Sequence, residues 1–240
     1  MEEGKKKIDI GTTLNNAIEL FKKTYLVSGF AFLFICIFIM TLAIIGIEYF
    51  IGFEQAAERL KTFDPVALSI NGTFIYFGCI VLFAVLTAPF NAGLLKIMKD
   101  ADEDKEISFG SLFYYVNSSY YLRIIILALV MVSLNFILNI GLQKIITDKS
   151  FGSIISMTLS VALSVLTFLS LPNIIFKDQG VIEAIKNSII VTQNNVFQII
   201  LLLIIALAIG YAGLIVFCVG FFFTFPMYYV IQYAIYKELN

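Results

Sequence analysis

Three prolines share one setting, and that setting could do chemistry. Thr87-Ala88-Pro89-Phe90-Asn91, Ser170-Leu171-Pro172-Asn173 and Thr224-Phe225-Pro226-Met227 each fall late in an apolar run, shortly before polar residues resume. A proline inside a helix has no N–H and leaves the carbonyl four residues earlier without its donor. Here those carbonyls belong to Val85, Phe168 and Phe222. Together with Asn91 and Asn173, such uncharged oxygens could line a shared cavity. The plainer reading is a kink whose freed carbonyl is satisfied by a packed neighbour. The candidate cavity and kink residues are therefore Pro89, Asn91, Pro172, Asn173 and Pro226.

Other reactive constellations are scarce. Asp100, Asp102, Glu103 and Asp104 could supply a carboxylate pair, although a charged loop is usually just solvated. The chain has no histidine, which removes the commonest metal ligand and the usual general base. Cys36, Cys79 and Cys218 stand singly in apolar runs and read as small packing residues. Phosphate-loop and nucleophile-elbow motifs are missing. Asn135 and Asn139 lie one turn apart, and with Ser156, Ser160 and Ser164 they read as interhelical hydrogen-bonding groups. The expectation is a non-enzyme, with no catalytic residue, no cofactor and no metal.

The elements that hold these residues follow from how charge is distributed. The chain is 60% hydrophobic and 14% charged. Charge-free stretches separate Lys23 from Glu48, Asp64 from Lys96, Arg123 from Lys144 and Lys149 from Lys177, and a last one of 50 residues separates Lys186 from Lys237. A bilayer core about 30 Å thick needs roughly 20 apolar residues as helix. Four stretches hold one span each and the last holds two. The spans are expected at about 26–47, 74–98, 122–142, 153–176, 196–211 and 214–236. The first is too long for a signal-peptide core of roughly 7–15 residues and reads as a retained span.

Each pair of spans is preceded by an amphipathic stretch. Ile10, Leu14, Ala17, Ile18, Phe21 and Tyr25 share one helical face. Phe109, Leu112, Phe113, Val116 and Tyr120 repeat the pattern behind Ser108 as N-cap, and Ile182, Ile185, Ile189 and Val196 do so behind Asp178. Gly210 and Gly213 mark the expected turn before the last span, and Glu54 to Lys61 a short helix in the first external loop. The fold class expected is an all-α integral membrane protein. Its six transmembrane helices form three repeats of amphipathic helix, span and proline-bearing span, at about 8–100, 107–177 and 178–240 of a single polytopic domain. Phe21, Phe113, Tyr120 and Ile185 are the candidate interfacial residues, lying in the headgroup layer or covering the bundle end.

Twelve of the basic residues fall on one side of this topology and four, Arg59, Lys61, Lys144 and Lys149, on the other. Lysine and arginine are enriched in cytoplasmic loops, so both termini are expected in the cytoplasm. A net charge of −1 offers no basic field for nucleic acid. The expected partners are membrane lipids and another membrane protein.

Ala88-Pro89-Phe90-Asn91-Ala92-Gly93, then Phe109-Gly110-Ser111-Leu112-Phe113, then Gly180, Ala184, Lys186, Ser188, Gly213, Gly220 and Pro226 carry a resemblance. The chain resembles the YciC-like bacterial inner-membrane proteins and the membrane domain attached to some glycerophosphodiester phosphodiesterases. The resemblance implies a multi-pass protein of the bacterial cytoplasmic membrane. It does not carry phosphodiesterase activity over, because the likeness is to the membrane domain alone. Some relatives have been labelled carotene oxygenases, whose iron is held by histidines that this chain lacks. Two functions remain open: a non-catalytic scaffold, assembly or envelope-homeostasis component, and a carrier or channel for a lipid or uncharged amphipathic solute.

Overall fold

The computed structural model describes residues 7–50, 52–61, 63–146, 148–216 and 219–239. Lys5, Lys6 and Cys218 lie outside the described residues. What is described is all-helical, with no strand among those residues. Five segments are long and apolar enough to cross a membrane: Ile10–Tyr49, Ile70–Asp102, Tyr121–Ile145, Ser150–Lys177 and Val196–Ile215. The chain is built as a multi-pass membrane protein.

Helix α1 (Ile10–Phe50) is continuous for 41 residues. Sequence patterning separates an amphipathic segment from a span here, but nothing between them breaks a helix, and the two merge. At about 1.5 Å per residue α1 is about 61 Å long, roughly twice the hydrocarbon thickness. After the short α2 (Phe53–Lys61), α3 (Ile70–Asp102) runs back and continues through Pro89. Helix α2 matches the short helix expected at Glu54 to Lys61.

The second amphipathic segment departs from its expected form. Phe109–Asn117 winds as a 3₁₀ helix, and Ser108 makes no side-chain cap. Its backbone lies directly on α3: a side-chain carbon at Gly93 would fall 2.1 Å from the Leu112 carbonyl oxygen. Tight winding lets the main chain reach a surface on which α3 has no side chain.

Helix α4 (Tyr121–Phe136) passes through a π turn (Ile137–Gly141) into α5 (Leu142–Ile145). The next span is divided into α6 (Lys149–Leu166) and α7 (Ser170–Lys177). Pro172 is the third residue of α7, in the first turn, where a missing N–H costs nothing. The proline restarts a helix here rather than bending one.

Helix α8 (Val181–Thr192) begins at Gly180, and Asp178 instead ends α7 in the left-handed conformation at φ 56°. Its buried face is Ala184, Ser188 and Thr192, while Ile182 is 71% exposed. Of the aliphatic face read from the sequence, Ile182 points outward whereas Ile185, Ile189 and Val196 are half-buried, and the small and hydroxylated residues make the closest approach to α7. Helix α9 (Val196–Val216) runs straight through Gly210 and Gly213. Those glycines make no turn. They admit α10 (Gly220–Thr224) against α9, with a side-chain carbon at Gly213 falling 2.6 Å from the Gly220 backbone. Pro226 separates α10 from α11 (Met227–Leu239).

Packing is concentrated at one end. The core takes Ala17, Leu20, Ala31 and Ile35 from α1, Leu94, Leu95, Ile97 and Met98 from α3, and Leu112, Ile124, Ile174, Ile199 and Ile231 from the elements around them. No described residue of α1 after Ile35 is buried, nor any of α3 before Ala88. At the opposite, open end Met40, Ile75, Leu82, Met157 and Ile215 project outward. Apolar surface on that scale is a liability in water and a natural lipid contact.

Candidate functional site

The five proline-associated residues meet three different fates. Pro89 is buried within α3, and next to it the Thr87 hydroxyl donates back to the carbonyls of Phe83 and Ala84. Asn91 accepts a 2.8 Å hydrogen bond from the Tyr229 hydroxyl of α11. Pro172 and Asn173 are buried in α7, and the Asn173 amide donates to the Ala184 carbonyl of α8 at 3.3 Å. Pro226 is buried at the α10–α11 junction, where Tyr229 and Val230 donate to its carbonyl. Asn91 and Asn173 thus each bond to a different neighbouring helix.

The break between α6 and α7 is where freed backbone is most completely answered. The Phe168 carbonyl, one of the three singled out by the proline pattern, accepts a 2.6 Å bond from the Gln232 side-chain amide of α11. The Ser188 hydroxyl bridges the same break, donating to the Leu166 carbonyl at 2.8 Å and accepting from the Leu169 N–H at 3.0 Å. Gln232 and Ser188 are themselves buried. Four helices, α6, α7, α8 and α11, are therefore pinned at one irregular point by two side chains, with Asn173 a turn further on.

A second polar locus lies at the π turn. Asn139 donates to the Ser160 hydroxyl of α6 at 2.8 Å and to the Asn135 carbonyl at 2.9 Å, and Asn135 donates to the Met131 carbonyl. Clefts open on both sides of Asn139. One of about 340 Å³ is bounded by Tyr76 and Ile80 of α3 and Met131 to Ile140. The other, of about 400 Å³, lies between α6 and α9 and is lined by Ser160, Ser164, Leu203, Leu207 and Tyr228. Asn139→Leu is expected to destabilise the protein by about 0.6 kcal/mol and by no more than about 1.7 kcal/mol, the range of interhelical bonds in membranes. The unfolding midpoint in detergent reads this, and a collapse of the fold would show that the bond does more than join two helices.

The acidic run is fully engaged. Asp100 pairs with Lys96 and accepts from the Ser111 hydroxyl at 3.1 Å. Asp102 meets Lys237 at 2.6 Å and the Tyr233 hydroxyl at 3.0 Å. Glu103 lies between Lys99 and Lys105, and Asp104 meets Lys23 at 2.7 Å. The Lys105 ammonium holds the Glu103 carboxyl below its ordinary range, and the Lys23 ammonium does the same for Asp104. These groups join α1, α3, the 3₁₀ helix and α11. The exposed pairs among them are individually weak, but together with the largely buried Lys96–Asp100 pair they form a belt. Arg123 closes the other flank on Asp178 at 2.6 Å. The two chain ends are tied as well: the N–H groups of Ile8 and Asp9 donate to Asn195 and Glu238, and the Thr13 hydroxyl also reaches Glu238.

The four interfacial candidates are distributed around this packed end. Phe21 is half-buried beside Tyr25. Phe113 stacks edge-on against Phe34, Phe90 and Phe109. Tyr120 lies between Tyr115 and Arg123, and Ile185 borders the groove between α4 and α8. Burial pushes the Tyr115 hydroxyl well above its usual pKa. All four cover the helical core at least in part. Sequence reasoning missed Tyr229 and Gln232 and named Ser188 only within the family resemblance, not as a bonding group; all three sit among apolar residues without a recurring spacing. Their only signal was that each is a polar residue in a nearly uncharged run. Among the described residues no group of three acidic or cysteine side chains could hold a metal ion. No protein-family model, curated protein or solved structure matches this chain.

Proposed function

We propose that this chain is a non-catalytic multi-pass protein of the bacterial cytoplasmic membrane, acting as a scaffold or assembly component. The observation that carries the reading is how its polar groups are used. Asn91, Asn139, Asn173, Ser188 and Gln232 all bond one helix to another, and the acidic run is ion-paired. Chemistry needs convergent groups held free for a substrate, and the groups here are committed to holding the bundle. Large apolar and aromatic surface is left for lipid and for a protein partner. Six crossings in three units, with α10, Pro226 and α11 as the last, and a cytoplasmic packed end complete the proposal. The one-sided distribution of lysine and arginine supports that orientation.

A specific observation keeps a second reading alive. The cleft between α6 and α9 carries Asn139, Ser160 and Ser164 amid aliphatic walls, which suits a carrier for a lipid or uncharged amphipathic solute. Gentle extraction from native membranes separates the two. The scaffold reading expects a protein partner in fixed stoichiometry that is lost in Ile182→Asp, a change on the exposed face of α8. Purification without a partner, together with lipid or solute movement in vesicles containing only this chain, would replace it with the carrier.

A further inference from the structure

At the packed end, α1, α3 and α11 enclose a cleft of about 240 Å³ with largely polar walls. Asn16, Glu19 and Lys23 face it from α1, Asp102 from α3, and Tyr233 and Lys237 from α11. The charges are two of each sign, but they are not equally available. Asp102 already accepts from both Lys237 and Tyr233. Lys23 and Lys237 are 51% and 61% exposed in their side chains, and each ammonium has three donors, so both retain N–H groups for another acceptor. Glu19 is exposed and has no ion-pair partner within 4 Å among the described residues.

The cleft continues into an apolar track. Glu19, Lys23, Leu26, Phe30, Leu33 and Ile37 follow one another at helical spacing along one face of α1. Leu26, Phe30 and Ile37 are 51%, 54% and 55% exposed. From Leu26 to Ile37 the track is about 17 Å long, close to the roughly 15 Å depth of one leaflet's hydrocarbon. A polar cleft at one end of a leaflet-length apolar stripe matches an amphiphile.

We infer that this cleft binds the headgroup of a zwitterionic aminophospholipid. Its phosphate lies between Lys23 and Lys237, its primary ammonium donates to Glu19, and an acyl chain follows Leu26, Phe30 and Ile37. Glu19 sets the preference. A quaternary ammonium has no N–H to donate to it, and an anionic headgroup brings a like charge beside it. The inference rests on α1 lying in a bilayer.

The test uses the full chain and native mass spectrometry with phosphatidylethanolamine, phosphatidylcholine and phosphatidylglycerol of matched acyl chains. One phosphatidylethanolamine is expected to be retained with about tenfold preference over phosphatidylcholine, the scale of one charge-assisted hydrogen bond. Glu19→Gln should remove most of that preference, whereas Glu54→Gln on α2 should leave it intact. Equal retention of the two zwitterionic lipids by the unaltered protein overturns the inference, whatever the fate of the variants. So does a preference that survives Glu19→Gln. Glycerophosphoethanolamine, which has the headgroup without acyl chains, is expected to compete poorly, and full competition would exclude a lipid as the occupant. Failure of the membrane reading looks different: alkaline extraction would release the chain into the supernatant instead of leaving it in the membrane without headgroup preference.

Discussion

Gly93→Val should be the most damaging single substitution in the packed end. Its first added carbon would lie 2.1 Å from the Leu112 carbonyl oxygen and 2.7 Å from the Leu112 Cα. These are backbone atoms, so no side-chain rotation relieves the clash, and the 3₁₀ helix has to lift off α3. Overpacking a tight contact costs about 1–3 kcal/mol and sometimes more, and a valine here belongs at the upper end. Ser111 would be carried away from Asp100 and Phe113 from Phe34 and Phe90. The expected result is a marked fall in the detergent unfolding midpoint, with Gly93→Ala intermediate. Gly46 is the matched comparison, because a side chain there meets nothing within 4 Å. Gly46→Ala should be neutral or stabilise by roughly 0.5–1 kcal/mol through helix propensity. A Gly93→Val protein that melts like the parent would show that the 3₁₀ helix does not rest on α3.

Gln232→Leu should come second. The substitution preserves bulk but leaves the Phe168 carbonyl without its 2.6 Å donor, inside a break whose backbone has lost its own helical partners. Orphaning a buried acceptor costs about 1–3 kcal/mol, and a dry surrounding favours the larger value. Amide exchange should then rise locally at residues 167–169, ahead of global unfolding, since Ser188 alone would span the gap. Gln193→Leu, at an exposed position, supplies the control. If exchange at the break is unchanged in Gln232→Leu, the hydrogen bond is dispensable and the helices are held there by packing alone.

The membrane character of the chain was legible in its charge gaps, because lipid imposes a length and polarity constraint that a sequence must declare. The proline argument was legible in part. It pointed to Phe168 as a carbonyl needing a donor, and Gln232 supplies one, yet nothing in the spacing identified Gln232 across 64 residues. Helix continuity was harder to read. An amphipathic stretch followed by an apolar one looks like two elements, but hydrogen bonding within α1 does not depend on which face is wet. The inner face of α8 was read only in part, for a related reason. In water the larger aliphatic residues turn inward, whereas beside lipid Ile182 and Ile190 can face outward and Ala184, Ser188 and Thr192 can form the close contact. Of the polar residues read as interhelical bonding groups, Asn139 and Ser160 do join two helices, whereas Asn135 and Ser156 bond back to their own helices, because partners depend on tertiary approach that local pattern does not encode.

The ties between Ile8, Asp9, Thr13, Asn195 and Glu238 also set an order of events during synthesis. Helix α1 is made well before α11, against which it packs. Until the ribosome has delivered residue 238, the inner face of α1 lacks the part of its cover that α11 supplies. Loop closure over more than two hundred residues comes late and carries a large entropic cost. The nascent α1 must therefore hold this face against lipid while the intervening helices insert, and its contact with α11 closes only after them.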